Sequence, residues 1–158
     1  MIGIAALLMV GCTPVISDNV LKSIDKNVTY QALLENPDQY RGKTLLLGGS
    51  ILETTPMADK TVIMVLQYPL ASNNQPDLTS VSKGRFLVET EGFLDPAVYR
   101  AGRQITVAGM VTGKETRKLG QVNYPYPVLV SKELYLWPQS AQDNGPRFHI
   151  GAGVGTMF

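Results

Sequence analysis

Gly42-Lys43-Thr44-Leu45-Leu46-Leu47-Gly48-Gly49-Ser50-Ile51 aligns without gaps on Gly102-Arg103-Gln104-Ile105-Thr106-Val107-Ala108-Gly109-Met110-Val111. Each copy opens with a glycine and a base. Each has aliphatic residues at its fourth, sixth and tenth positions and a glycine at its eighth. A period of two reads as a strand with one buried face. The eighth-position glycine falls on that face, where a side chain would normally pack. Glycine inside a strand marks a bulge, a bend or a close backbone approach. Two strands bent at the same place predict a small, strongly curved sheet.

Working outward, the neighbouring segments supply three more strands. Thr61 to Tyr68 is apolar on both parities, so it is expected to be covered on both faces. Arg85 to Thr90 forms the third strand. The second copy, about Gln104 to Thr112, forms the fourth. Gly113 to Gly120 reads as a charged tip, and Val128, Val130, Leu134 and Leu136 mark the fifth. Thr29 caps a short helix containing Tyr30, Leu33 and Leu34, which Pro37 stops. Asp95-Pro96 fits the start of another short helix, through Arg100. The predicted fold is mainly β: a small five-stranded OB-like barrel with one short helix before strand one and another between strands three and four. A five- or six-stranded sandwich is the rival. Gly48 and Gly49 would let the long first strand bend to serve both halves of the barrel.

The chain has 158 residues, with 44% apolar and 17% charged residues and a net charge of +1. That is enough for one domain with a core. The charge balance, 14 bases against 13 acids, lacks the basic stripe of a nucleic-acid binder. One cysteine, Cys12, and one histidine, His149, exclude an internal disulfide and leave little material for a His or Cys metal site. No cofactor is expected.

Residues 1–11 read as a signal peptide. Ile2 to Val10 is an apolar run too short to span a bilayer. The usual basic n-region is missing, as a start assigned too late would explain. Leu7-Leu8-Met9-Val10-Gly11-Cys12 resembles a bacterial lipobox, and Thr13-Pro14 stops any helix at once. Cys12 is therefore the candidate lipidation site, the outer membrane lipid its partner. Thr13 rather than Asp after it implies export to the outer membrane. Residues 12–27 read as a lipidated tether with little structure of its own, and 28–138 as the barrel domain. Residues 139–158 read as a Gly-rich tail. Phe148 to Gly155 alternates glycine with apolar residues, consistent with a disordered tail or with a strand that docks on a sheet edge or a neighbouring chain.

Several uncommon phrases recur in one order: Tyr40-Arg41-Gly42-Lys43, Gly48-Gly49, Leu66-Gln67-Tyr68-Pro69-Leu70, Gly84-Arg85-Phe86, Gly92-Phe93-Leu94-Asp95-Pro96, Tyr124-Pro125-Tyr126-Pro127 and Leu134-Tyr135-Leu136-Trp137-Pro138. Together with the lipobox they resemble the Slp family, starvation-inducible outer membrane lipoproteins of Gram-negative bacteria. The resemblance implies a lipid on Cys12, outer membrane localisation and a link to starvation or stationary phase. It implies no established enzymatic activity, so no catalytic residues are assigned.

The residues themselves offer weak candidates for chemistry. Glu89 and Glu91 read as a solvated strand end rather than a glycosidase pair. Tyr124, Tyr126, Tyr135 and Trp137 form the candidate ligand-binding set. They either pack under the loops or present a face to a sugar, a peptide or a Pro-rich strand, since OB-type barrels bind ligands on strands two and three. Lys114, Arg117 and Lys118 could meet an anionic envelope polymer, or be a solvated tip. The reading is a lipid-anchored, non-enzymatic binding or interaction module of the cell envelope, with an envelope polymer or outer membrane protein as partner and no nucleic acid. The alternative is a structural subunit that self-associates as a homo-oligomer, or joins an outer membrane assembly, through its tail.

Overall fold

The two copies of the phrase pair with each other. In the computed structural model, which describes residues 14–139, they lie in β1 (Thr44–Pro56) and β4 (Gln104–Leu119). The strands run antiparallel, with Leu45 opposite Gly109, Leu47 opposite Val107 and Gly49 opposite Ile105. The fourth position of one copy thus meets the eighth of the other, so Leu45 and Ile105 each face a glycine across the ladder, while the sixth positions, Leu47 and Val107, face each other. The ends are bonded alike. Gly42 N–H donates to Val111 O at 2.8 Å, and Gly102 N–H donates to Ile51 O at 2.9 Å. Val111 N–H donates to Lys43 O and Ile51 N–H to Arg103 O, at 2.9 and 2.8 Å. A local two-fold therefore relates the copies about the Leu47–Val107 pair.

The resemblance continues upstream once Ala101 is allowed as an insertion. Asn36-Pro37-Asp38-Gln39-Tyr40-Arg41 matches Asp95-Pro96-Ala97-Val98-Tyr99-Arg100. Tyr40 and Tyr99 both pack on the barrel core. Gly42 and Gly102 both turn the chain into its strand at positive φ, +81° and +86°, where a Cβ would be strained.

The remaining strands are β2 (Lys60–Gln67), β3 (Arg85–Glu91) and β5 (Val122–Leu136), closing a barrel in the order β1-β2-β3-β5-β4. Every neighbour pair is antiparallel except β3 and β5, which run parallel through Leu87–Val128, Val88–Leu129 and Glu89–Val130. β1 pairs with β4 through Thr44–Ser50 and with β2 through Gly49–Pro56, so it changes partner at the Gly48-Gly49 pair. A Cβ on Gly49 would overlap the Leu66 carbonyl. On Gly109 it would lie 3.0 Å from Val130 O, beside a bulge in the β4–β5 ladder. Leu45, Leu47, Ile51, Ile105, Val107 and Val111 all fill the core, with Ile63, Val65, Phe86, Val88 and Leu129. Helix α2 (Tyr30–Glu35), capped by Thr29 Oγ1 accepting from Ala32 N–H, adds Tyr30 and Leu33.

Three expectations need correction. Asp95 to Arg100 is a single turn, not a helix. Val98 and Tyr99 N–H both donate to Asp95 O, and Asp95 Oδ1 accepts from Ala97 N–H. Tyr99 must reach the core and the chain must reverse at Gly102, which leaves no room to repay helix nucleation. Residues 16–27 are not a free tether. Ile16 is 1% exposed, helix α1 occupies Asp18–Lys22, and Asp25 N–H donates to Thr44 O at 2.9 Å. The charged tip at 113–120 is strand: β4 runs to Leu119, and Gly120-Gln121 make the reversal. Alternating charges there read as loop because that arm buries few of its side chains. Pro125 and Pro127 are tolerated because their part of β5 has only β4 beside it. The C-terminal segment from 140, with His149 and the glycine alternation, lies outside the described residues, as does Cys12.

Candidate functional site: a cleft on the free edge of the first strand

The four candidate aromatics do not form one face. Tyr124 and Tyr126 pack at a tilt with ring centres 4.7 Å apart, and Tyr135 and Trp137 pack edge to face at 4.9 Å. Nine residue steps of β5 separate Tyr126 from Tyr135, up to about 30 Å of strand. Tyr126 is 1% exposed. It packs with Val62, Leu87 and Val128 in a second apolar cluster, with Met64 and Tyr124 against it. Tyr124 Oη accepts from Arg85 N–H at 3.0 Å. This pair covers the outer side of β2 and β3, the face on which a ligand was expected. The alternation of β2 on both parities is thereby explained: Ile63 and Val65 fill the barrel, and Val62 lies under the tyrosines. Beside them, burial pushes the Tyr30 hydroxyl far up, with the neighbouring Tyr124 adding to it. Tyr30 Oη donates to Arg85 O at 2.9 Å.

Trp137 has a different role. Its indole N–H donates to Thr106 Oγ1 at 2.9 Å, and Thr106 Oγ1–H donates to Asn74 O at 2.6 Å. Asn74 holds a positive φ of 66°, a conformation asparagine tolerates better than most residues. The relay fixes the loop after β2, and Asn74 lines a cleft.

That cleft, about 690 Å3, lies between the 21–28 segment, β1 and Leu70. Its origin is in the hydrogen bonding of β1. Odd residues of the first copy point their amides at β4, as Ile51 shows in bonding with Arg103 and Gly102. Even residues point the other way. Thr44 O accepts from Asp25 N–H, and Gly48 O accepts from Tyr68 N–H at 3.0 Å. Leu46, midway, has no backbone partner on this edge among the described residues. The gap it leaves is walled by Leu21, Ile24, Val28 and Leu70, with Asp25, Lys26 and Asn74 as polar members. Lys43 Nζ bonds Asp25 at 2.9 Å and holds its carboxyl below the usual range, with help from Asn27 N–H. Lys26 has no ion-pair partner among the described residues. The wall is fastened at its other end by Ser17, whose N–H and Oγ–H donate to the Glu133 carboxylate and lower its pKa.

None of these wall residues stood out as a site in the sequence. The signal was present, since Ile16, Val20, Ile24 and Val28 recur every fourth residue in a stretch that otherwise looks polar. The acid candidates resolve differently. Lys60 Nζ bonds Glu89 at 2.9 Å, and this contact raises the Lys60 pKa. Glu91 is exposed. Of the bases on the β4–β5 arm, Lys114 lies 3.5 Å from Asp38 and Arg117 2.6 Å from Glu115. Among the described residues, no group of three or more His, Cys, Asp or Glu could hold a metal, and no helix is long and apolar enough to cross a membrane.

A family model described as outer membrane lipoprotein Slp family matches residues 9–152. The chain belongs to the Slp family. An uncharacterized lipoprotein, YeaY, of Escherichia coli K12 is 30% identical over 127 residues, covering 80% of this chain and 65% of that protein. An uncharacterized protein of Haemophilus influenzae Rd is 38% identical over 105 residues, covering 66% of this chain and 57% of its own length. The chain therefore spans less than two thirds of the length of these curated relatives. As an Slp-family protein it is an outer membrane lipoprotein.

Proposed function

We propose that this Slp-family protein is a lipid-anchored, non-catalytic binding module on the periplasmic face of the outer membrane, used when cells starve. Its anchor is the acylated Cys12, and its barrel is of OB type. The bent, shared first strand and the parallel closure of β3 on β5 support that barrel assignment.

One observation carries the functional reading. Ile16 is buried and Ser17 is bonded to Glu133, so only Thr13 to Val15 separate Cys12 from the barrel wall. Four residues span at most about 14 Å. A lipid on Cys12 would hold the barrel at the bilayer surface rather than on a long leash. Two or more acyl chains give stable attachment, at about 0.8 kcal/mol per buried methylene. Such an arrangement suits a module that works on the membrane or on components next to it.

The test is fractionation after Cys12→Ser. The protein is expected to move from the membrane to the soluble periplasmic fraction. Retention with the membrane would sink the anchor.

A further inference from the structure

We infer that the cleft beside Leu46 receives the end of an acyl chain from a phospholipid of the membrane that carries the anchor. The inference rests on the anchoring reading above. Leu21, Ile24, Val28, Leu46 and Leu70 supply aliphatic wall, and Asp25, Lys26 and Asn74 supply polar wall, to a cleft whose 690 Å3 lies within the usual size of small-molecule sites. Leu45 and Leu47, which belong to the core, also line it.

The shape selects the occupant. The Thr44–Gly48 edge looks like a place for an added peptide strand. Both ends of that edge are closed, however, by Asp25 N–H on Thr44 O and Tyr68 N–H on Gly48 O. Between the closures lie only four residue steps, about 13 Å. A strand cannot run through, so the occupant must enter end-on. A linear hydrocarbon can enter in this way, since it needs only contact with the aliphatic side chains and no ladder of backbone partners of its own.

The position selects the source. The wall that includes Leu21 and Ile24 begins at Ile16, within about 14 Å of the anchored residue. The cleft is thereby held next to lipid. Lys26 lines the cleft without an ion-pair partner among the described residues, as Asp25 is bonded to Lys43. It supplies a cation for the phosphate of a lipid whose chain has entered. Trp137 acts as a positioning residue, through Thr106, on the Asn74 rim.

The test uses the lipidated full-length chain in vesicles of phosphatidylethanolamine and phosphatidylglycerol. The vesicles are doped with a phospholipid bearing a photoreactive diazirine at the end of one acyl chain. Irradiation and peptide mapping should place adducts in 21–28, 45–47 and 70–74. Leu46→Asp and Leu70→Asp should each lower those adducts about tenfold, as the loss of one buried aliphatic contact implies, with circular dichroism melts and vesicle sedimentation unchanged. Leu46 is half-buried at the cleft wall, so it is the safer of the two for folding. Adducts confined to exposed Val81 or Phe93, or to residues before Ile16, would overturn the proposal. So would cleft adducts that appear only with Cys12→Ser in lipid–detergent micelles, because the cleft would then hold the protein's own acyl chain. Failure of the lipidated protein to sediment with vesicles would contradict the anchor instead, and labelling in the micelles would still decide the cleft.

Discussion

The two edges of β1 are built from the same residues and do opposite things. Toward β4, Leu45, Leu47, Gly49 and Ile51 meet a second copy of their own pattern, with a glycine opposite a bulky aliphatic at Leu45–Gly109 and again at Gly49–Ile105. On the opposite edge, the same stretch accepts two backbone hydrogen bonds, from Asp25 of the wall at Thr44 and from Tyr68 at Gly48, and leaves a cleft between them. One edge closes the barrel. The other leaves room for a ligand. The alternation of amide direction along a strand lets a single segment do both.

The largest losses are expected where the eighth-position glycines of the two copies meet the strands on their far sides, β2 at Gly49 and β5 at Gly109. Gly49→Val places a side chain on the Leu66 carbonyl and should cost about 3 kcal/mol or more, or prevent folding. Gly109→Ala, whose Cβ would lie 3.0 Å from Val130 O, should cost about 1–2 kcal/mol. Urea unfolding midpoints check both. A tolerated Gly49→Val would mean that β1 and β2 approach less closely at Leu66 than described.

The wall should respond locally. Ile16→Ala removes a fully buried side chain, worth about 2–4 kcal/mol, and the loss should appear as release of 16–28. Trypsin should then cut after Lys22 or Lys26 much faster, while the barrel's urea midpoint moves little. An equal fall in the global midpoint would show that wall and barrel are one cooperative unit.

These two sites also show what could be read from residues alone. The seam was legible because bulky and small residues alternate at fixed positions in two places, and strand geometry has one way to bury them. That Leu45 faces Gly109 was not legible, because pairing depends on the register. The wall was missed because Asp18, Lys22, Asp25 and Lys26 crowd the stretch, and a 5-residue helix carries too few apolar positions to declare itself. The aromatic set was misjudged for a related reason. Closeness in sequence placed Tyr126 and Trp137 together, whereas an extended strand carries them apart. Asp95 gave a correct cap signal, but the demands of Tyr99 and Gly102 limited the segment to one turn.

A smaller effect should separate Trp137 from the seam. Trp137→Phe keeps the ring against Tyr135 and loses the hydrogen bond to Thr106, about 1 kcal/mol. Amide exchange should quicken in the 70–75 loop and not in β4. Faster exchange in β4 would place Trp137 in the barrel's own stability.

Acid should give the mildest response. Glu133 and Asp25 have folded pKa values below their ordinary 4.5 and 3.8. Groups lowered on folding contribute above the unfolded pKa and lose that contribution as pH falls through the folded one. The wall should thus hold at pH 5 and above and loosen below about pH 4, with a small effect because both groups are only partly shielded from solvent. Proteolysis with an acid-active protease, compared between wild type and Glu133→Gln, checks this. A pH-independent difference between the two would contradict it.

The difference between the edges can be measured in three neighbouring amides. Leu45 and Leu47 N–H point into the β4 ladder, and Leu46 N–H points into the cleft. Hydrogen exchange followed by NMR should find Leu45 and Leu47 exchanging only on global unfolding. Leu46, between them, should exchange at least about a thousandfold faster. Equal protection of all three amides would mean that both edges of β1 are sealed, and would contradict the account.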